Sequence, residues 1–286
     1  MLVCSAVVAC ENDNDNAVDA QAVGSDSSQT VEPRGACNAS DRIGGFSVGQ
    51  QENKKESYAT GEVKNGVLPS HVPIEVADLG QCRLNQQNNP YCDPTCSLGT
   101  ICDNSGACID EPLNQDVGDV HIEGLNKSVI MRPDGNLGYW DSSLPHPAFN
   151  SNARIKLAAL GNDLEGFVMV GKGVAALEAD NTDWIITENQ PLVINWTADT
   201  KNNATIYATL NVDQHGISPA TIVCEAPDTG ELVVPLELVD QLFGLGTSGA
   251  PTATLERHFV DSVQTALGCV EFKVFSKLAV TLSILE

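Results

Sequence analysis

The chain has 286 residues, of which 15 are Lys or Arg and 38 are Asp or Glu, so its formal net charge is -23. An acidic excess of this size repels phosphate backbones and anionic headgroups, which argues against nucleic-acid binding and against membrane attachment through a basic surface. Ten cysteines are many for a protein kept in a reducing compartment, and they favour an exported protein with disulfides.

The first ten residues are small and apolar, end in the tetrapeptide Val7–Cys10, and give way to a polar sequence at Glu11. This tetrapeptide resembles the lipobox of bacterial lipoproteins, in which the cysteine is diacylated and becomes the mature N-terminus. Two acyl chains supply stable anchoring that one chain does not. We predict that residues 1–10 are the remnant of a signal peptide, that Cys10 carries the lipid, and that the protein resides in the bacterial cell envelope, with the outer membrane favoured.

The same N-terminal segment is short and has no basic residue, whereas a signal peptide begins with a basic region. We therefore expect that the true start lies upstream of Met1. The alternative is a frayed apolar terminus with an ordinary Cys10.

Residues 11–36 are rich in Asp, Asn, Ser and Gln and offer almost no side chain for burial. Such a segment does not offset its ordering entropy, so we predict a disordered acidic tether. Residues 37–80 contain strand-like stretches, among them Phe46–Val48 and Gly61–Val63. We expect these strands to pack on the same sandwich as the rest of the chain.

Residues 81–112 contain five closely spaced cysteines, with Pro94, Gly99 and Gly106 between them. This spacing leaves no room for a helix or a long strand, and it predicts a disulfide-rich knot of turns. A zinc site is the competing interpretation, but only Cys92 and Cys96 form the close ligand pair that such sites use.

The knot resembles EGF-like half-domains. That resemblance implies an interleaved pairing of Cys92 with Cys102 and of Cys96 with Cys108. It would leave Cys82 to pair with Cys37.

Residues 113–286 alternate between apolar and polar side chains, as half-buried strands do. The clearest stretches are Leu192–Thr197, Thr205–Val212, Val270–Val274 and Lys277–Ile284. Together with the many turn signals they predict an all-β fold, an antiparallel β-sandwich. A single short helix is predicted after Pro235, which suits a first helical position, with Leu236, Val239 and Leu242 on one face and Gly244 at its end. Cys224 and Cys269 each lie in a predicted strand, and we expect them to form a disulfide.

Several short motifs resemble uncharacterised cysteine-rich lipoproteins of myxobacteria and their relatives. The matching residues are Gly80–Leu84, Cys92–Cys96, Gly99–Cys102, Gln214–Gly216, Cys224–Gly230, Val234–Leu238 and Arg257. The resemblance runs from about Gly45 to the C-terminus. It implies export and a shared fold, and it brings no activity.

Two weak candidates for chemistry fall near the same predicted turn. Asp228–Gly230 is the tripeptide of aspartic proteases, but it occurs once and is followed by Glu231, as in a polar hairpin turn. Asp213, His215 and Asp228, with Glu225 beside them, are weak candidates for a metal site, although their spacing matches no known ligand pattern.

Three aromatic residues, Tyr139, Trp140 and Trp184, are predicted to lie among turns and outside the alternating strands. Exposed aromatic rings at the edge of a sandwich stack on sugar rings, which makes these residues weak candidates for a ligand site. The alternative is that they close one end of the core.

The sequence as a whole favours a non-catalytic exported lipoprotein, without a cofactor, whose sandwich binds a protein or a glycan of the envelope. Its only expected membrane contact is the lipid anchor, and no nucleic-acid partner is expected. The alternative is a hydrolase or metal-dependent enzyme with a site near Asp213, His215 and Asp228. An enzyme is expected to have a deep pocket with converging titratable groups, and a binding module a shallow aromatic patch.

Overall fold

A computed structural model describes residues 33–199, 201, 203–211, 220–245 and 251–285. The predicted lipid-bearing Cys10, most of the predicted tether and Val212 lie outside these residues. The elements of the described part are a 3-10 turn at Pro69–His71, the helix α1 (Leu236–Gly244), and the strands β1 (Arg42–Gln51), β2 (Glu56–Val63), β3 (Ile74–Leu79), β4 (Cys82–Gln86), β5 (Thr100–Cys102), β6 (Cys108–Asp110), β7 (Val120–Glu123), β8 (Val129–Met131), β9 (Tyr139–Asp141), β10 (Arg154–Gly161), β11 (Glu165–Lys172), β12 (Asp183–Thr187), β13 (Leu192–Asn195), β14 (Thr205–Asn211), β15 (Ala220–Pro227), β16 (Glu231–Val234), β17 (Thr252–Gln264) and β18 (Cys269–Leu285).

One large sheet organises the molecule, in the order β3-β4-β15-β14-β17-β18-β1-β2-β9. Its longest strand, β18, pairs in parallel with β1 along Cys269–Lys277 and in parallel with β12 along Thr281–Leu285. The other pairings in this sheet are antiparallel. The predicted all-β fold with one short helix is confirmed, but the large sheet is mixed and not purely antiparallel.

The inner face of the large sheet carries two separate apolar cores. The first half of β18 contributes Phe272 and Val274 to one core, together with side chains of the four-stranded sheet β11-β10-β7-β8. The second half of β18 contributes Leu278 and Val280 to the other core, under β12, the β13–β16 ribbon and α1. The large sheet and the elements that cover its inner face thus form a sandwich. The long strands β17 and β18 contribute side chains to both of its cores.

A row of buried polar residues crosses the inner face between the two cores. Arg257 of β17 lies opposite Ser276 of β18, which lies opposite Gln50 of β1, which in turn lies opposite Ser57 of β2. All four are at most 6% exposed. We call this row the polar seam, and it divides one continuous sheet face into two hydrophobic compartments.

Arg257 is only 1% exposed, and all five of its N–H donors have acceptors. Its Nε donates to Oδ2 of Asp228 over 2.7 Å, and Nη2 donates to Oδ1 of the same carboxylate over 3.2 Å. The remaining bonds go to backbone oxygens of Ala175, Ala176 and Thr197. This arrangement satisfies a charge that would otherwise be very costly to bury.

The other end of the seam is organised by Glu52, which is 7% exposed. Its Oε1 accepts hydrogen bonds from Ser276 Oγ at 2.7 Å and from Gln50 Nε2 at 3.3 Å, and its Oε2 lies 3.3 Å from His146 Nε2. Ser276 Oγ in turn accepts a hydrogen bond from the backbone of Leu177. The seam therefore ties the loop segments around residues 146 and 177 to the centre of the sheet.

The helix α1 follows the predicted pattern closely. Pro235 was predicted at the first helical position and is instead the N-cap, one residue before the helix begins at Leu236, and the helix ends at Gly244 as predicted. Val239 and Leu242 are fully buried as predicted, but the third buried residue is Leu238 and not Leu236, which is half-buried. The helix packs on β4 and β15. An amphipathic helix without much intrinsic stability is held in place by this contact.

Two of the four expected disulfides are correct and two are wrong. The structure joins Cys92 to Cys102 and Cys96 to Cys108, as the EGF-like resemblance implies. It joins Cys37 to Cys269 and Cys82 to Cys224, and so contradicts the expected pairs Cys37–Cys82 and Cys224–Cys269.

The reason lies in strand order. The strands β14 and β17 separate β15, which carries Cys224, from β18, which carries Cys269, so these strands are about 14 Å apart. A disulfide spans at most about 7 Å between Cα atoms. Cys82 instead lies directly opposite Cys224, with a Cα–Cα distance of 4.0 Å.

The first strands of the chain are integral to the large sheet, since β1, β2, β3 and β4 all pair within it. The residues between β4 and β7, which hold the small β5–β6 hairpin and two disulfides, form an excursion from that sheet and not a linker between domains. The predicted tether ends earlier than residue 36, because the Arg34 amide donates to the buried carboxylate of Asp261 over 2.9 Å.

We expect the variant Arg257→Met to lose about 3–5 kcal/mol of unfolding free energy, because it leaves the buried Asp228 carboxylate without its cation. Urea unfolding followed by circular dichroism measures this loss. Arg83→Met is the matched control, since Arg83 forms an exposed pair with Asp78 and its loss should cost less than about 1 kcal/mol. Equal midpoints for Arg257→Met and the wild type would contradict a stabilising role of the seam.

Candidate functional site

The outer face of the large sheet, opposite the two cores, forms an open concavity of about 920 Å³. We call it the outer groove. Side chains of seven neighbouring strands, from β9 at one edge to β15, line it. The lining includes Ser47, Thr60, Trp140, Thr205, Tyr207, Glu225, Glu256, His258 and Lys273.

One end of the outer groove is aromatic. Trp140 on the edge strand β9 is 61% exposed and stacks on Tyr58, with ring centroids 5.5 Å apart and planes 15° apart. Tyr58 meets the buried ring of Phe275 edge-on at 6.1 Å. The Phe275 ring lies directly over Gly49, where an added Cβ would come within 2.2 Å of a ring carbon. Gly49 therefore permits the ladder of rings that supports Trp140.

The middle of the outer groove holds a charged cluster of Glu256, His258 and Lys273. Lys273 Nζ lies 3.0 Å from Glu256 Oε1 and 3.2 Å from Oε2, and His258 Nδ1 lies 3.1 Å from Oε1. Because a carboxylate only accepts, His258 donates in this contact. The Tyr207 ring lies 5.6 Å from the His258 ring, and Lys273 also lies 4.7 Å over the Phe275 ring. The cluster thereby connects the aromatic end to the rest of the outer groove.

The surroundings of Glu256 shift the pKa values of several groups. Burial by itself would raise the pKa of Glu256, but the hydrogen bond from His258 and the charge of Lys273 outweigh it and hold the pKa below its ordinary value. Burial raises the pKa of Tyr207 and of Tyr58, and the negative charge of Glu256 raises both further. Glu256 is thus ionised, and the two phenols keep their protons for hydrogen bonding.

Of the three predicted ligand-site aromatics, the structure brings only Trp140 to the surface of the groove as a ring open to solvent. Tyr139 is 2% exposed and Trp184 is 4% exposed. Both lie in strands, β9 and β12, and not among turns as predicted. The ligand-site candidacy is therefore wrong for Tyr139 and Trp184, and the alternative, in which these rings belong to the core, is correct, because each packs in an apolar core.

The hydroxyl of Tyr139 has hydrogen-bond partners inside the protein, and this allows the residue to be buried. It accepts a hydrogen bond from the Val117 amide at 3.0 Å and lies 3.3 Å from Asp116 Oδ1. Burial raises the pKa of Tyr139 to about 12, although the hydrogen bond from the Val117 amide lowers this pKa. This tyrosine anchors the start of the β7 region and is not available to a ligand.

Asp228 is not available as a metal ligand or as a protease carboxylate. Besides the two bonds from Arg257, its Oδ1 accepts from Trp196 Nε1 at 2.6 Å and its Oδ2 accepts from the Asp199 amide at 3.1 Å. Four donors thus occupy both oxygens of a residue that is 8% exposed. Asp213 and His215, the other metal candidates, lie outside the described residues. Glu225 is exposed and lines the outer groove.

The zinc interpretation of the cysteine-rich segment also fails on chemistry. Within the described part of the chain, the sulfur atoms of Cys92, Cys96 and Cys102 lie within 4.8 Å of one another. Each of them belongs to a disulfide, and a disulfide sulfur is not the thiolate that binds zinc.

Sequence reasoning missed Glu256, His258 and Lys273. A signal was present, because Glu256–His258 is a run of three polar residues inside a strand that is otherwise rich in apolar residues. Because side chains alternate along a strand, Arg257 points to the polar seam, and Glu256 and His258 point to the outer groove. Lys273 carried no signal, since a lysine on the open face of a strand is common.

A comparison with known protein families finds none that matches this chain. A comparison with curated proteins finds no significant match either.

We expect Glu256→Gln to lower the unfolding free energy by about 1.5–3 kcal/mol near neutral pH, because two charge-assisted hydrogen bonds weaken. Since the folded-state pKa of Glu256 lies below its ordinary value of 4.5, its stabilising contribution is present above that value and is lost as pH falls through the folded-state pKa. The difference between wild type and variant should therefore shrink below about pH 4.5.

Urea unfolding at a series of pH values from about 7 to about 3 measures this difference. Glu75→Gln, at an exposed position of β3, is the control and should change stability little at any pH. A difference for Glu256→Gln that stays constant across the series would contradict the ionised cluster.

Proposed function

We propose that this protein is an exported lipoprotein that binds a glycan of the cell envelope in the outer groove, without a catalytic step. The observation that carries the proposal is the exposed Trp140, stacked on Tyr58, at the end of an open groove lined by polar side chains.

The aromatic end of the groove suits a sugar ring. Pyranose rings present faces of C–H groups that pack on aromatic rings, and an aromatic residue supplies a large and rigid surface at low entropic cost. Trp140 is held in orientation by Tyr58, which is itself held by Phe275. Such a platform is set before a ligand arrives, and preorganisation favours affinity.

The remaining lining supplies the hydrogen bonds that sugar hydroxyls require. Ser47, Thr60 and Thr205 offer hydroxyls, and Glu225 offers an exposed carboxylate. Sugar hydroxyls both donate and accept, so a mixture of acceptors and two-way groups fits them.

Binding is favoured over hydrolysis by the state of Glu256. A glycosidase needs one carboxyl group that keeps its proton near neutral pH to act as general acid. The pKa of Glu256 is shifted the other way, and Lys273 and His258 already engage its oxygens. This carboxylate is therefore suited to holding its neighbours in place.

The charge of the groove favours an uncharged ligand over a polyanion. Its lining includes five carboxylates, on Glu62, Asp134, Glu225, Glu256 and Glu271, and two basic side chains, on Arg42 and Lys273. The whole chain carries a formal charge of -23. Acidic polysaccharides would be repelled on approach, particularly at low ionic strength.

Export is supported by the four disulfides and by the lipobox-like sequence at Cys10. Disulfides persist in oxidising compartments. The helix α1 has nine residues, and no helix in the described part of the chain is long and apolar enough to cross a membrane. The proposal assigns attachment to acyl chains on Cys10.

We expect the protein to incorporate radiolabelled palmitate when its gene is expressed in a bacterium with the upstream genomic sequence included. Cys10→Ser should abolish the label, because the acyl chains are attached through the sulfur of that residue. Cys4→Ser is the matched control and should be labelled as the wild type is. Equal labelling of Cys10→Ser and wild type, or no label in the wild type, would reject the lipid anchor.

We expect a neutral glycan to change the fluorescence of Trp140 and to lose affinity in the variant Trp140→Ala. The other two tryptophans, Trp184 and Trp196, are each 4% exposed, so a ligand-dependent signal should come from Trp140. Loss of the stacking surface should weaken binding about tenfold or more.

Isothermal titration with oligomers of glucose and of N-acetylglucosamine measures the affinity of both proteins, because the variant lacks the fluorescent reporter, with polygalacturonate as a polyanion that should not bind. Tyr91→Ala is the matched control, because Tyr91 is 78% exposed and lies outside the outer groove. Binding that survives Trp140→Ala unchanged would move the site elsewhere on the molecule.

A further inference from the structure

The outer groove is much longer than a single sugar ring. Strand order places seven strands side by side along it, β9-β2-β1-β18-β17-β14-β15. With about 4.8 Å between neighbouring strands, the six intervals span about 29 Å. The groove runs across the strands, and so its length comes from the width of the sheet.

The register shows that polar side chains continue along this path. Trp140 lies opposite Thr60, Thr60 opposite Ser47, and Ser47 opposite Lys273. On β17 the residue opposite Lys273 is Val260, and His258 is its neighbour on the same face. His258 lies opposite Thr205, and Glu256 opposite Tyr207, which lies opposite Glu225. Each of these pairs directs both side chains to the same face of the sheet.

A second hollow of about 570 Å³ adjoins the outer groove at the start of β14 and the end of β15. It shares Asn203, Thr205 and Glu225 with the outer groove and continues to Asp199 and Thr229. The two hollows are therefore continuous at Glu225, and the path is longer than the first hollow alone.

The opposite end of the path is at the sheet edge. β9 is the last strand in the order of the large sheet, and Trp140 on it is 61% exposed. A chain can thus leave the groove past Trp140, whereas a closed pocket would accept only the terminal unit of a glycan.

We infer that the ligand is a linear, uncharged oligosaccharide of several rings that lies across the strands, with one ring on Trp140 and later rings at Thr205 and Glu225. This rests on the proposed function. It assigns two roles: Trp140 contacts every ligand, and Glu225 contacts only chains long enough to reach β15.

Isothermal titration with N-acetylglucosamine and glucose oligomers, from the disaccharide to the hexasaccharide, tests the inference. The hexasaccharide should bind at least about tenfold more tightly than the disaccharide, which corresponds to about 1.4 kcal/mol. Glu225→Ala should remove most of this gain and leave the disaccharide unaffected. Glu231→Ala, at another exposed glutamate outside both hollows, is the matched control and should keep the gain.

The outcomes separate the inference from the proposed function. Binding that depends on Trp140 but is independent of chain length would overturn the long site and keep the glycan function. A gain with chain length that Glu225→Ala does not reduce would overturn the assigned path. The absence of binding to every oligomer would reject the proposed function and the inference together.

Discussion

The buried ion pair of Arg257 and Asp228 holds three chain segments against the large sheet at the boundary between its two cores. Arg257 lies on β17 between the two cores, and its five donors reach the β15–β16 turn, the segment after β11 and the segment after β13. A buried pair of this kind adds little net stability compared with apolar residues of the same size. Its geometry is demanding, however, because an unmatched donor or a shifted carboxylate would leave a buried charge uncompensated. The pair therefore fixes where three separate segments meet the sheet.

The polar seam and the outer groove are two faces of the same strands. On β17 the inward Arg257 alternates with the outward Glu256 and His258, and on β18 the inward Ser276 follows the outward Phe275. Because successive side chains of a strand point to opposite faces, the inward residues of the seam and the outward residues of the groove share one backbone. The charged cluster and the stacked rings thus lie on the strands whose opposite face carries the polar seam. Side chains presented by strands are held more precisely than side chains presented by loops.

Sheet topology also explains how the first and the last described strands are held together. The parallel pairing of β1 with β18 brings the first described strand next to the last, and Cys37–Cys269 closes that contact covalently over 232 residues of sequence. In a chain-entropy treatment, closing so long a loop removes more freedom from the unfolded chain than closing a short one. The two short-range bridges of the cysteine-rich excursion act differently, since they hold a segment with little apolar surface to bury.

Local sequence pattern was enough to predict the alternating strands and the helix after Pro235. The bridges Cys92–Cys102 and Cys96–Cys108 were implied by the EGF-like resemblance and not by the spacing of the cysteines. The periodicity of apolar side chains and the composition of turns are local properties, and they can be recognised in a single sequence. Which strands are neighbours becomes known only from the fold, and with it the partners of Cys82 and Cys224, the burial of Trp184 and the role of Asp228. The outer groove is also known only from the fold, because its residues come from seven strands that are scattered along the chain. Strand order is set by the packing of distant segments, and no local pattern encodes it.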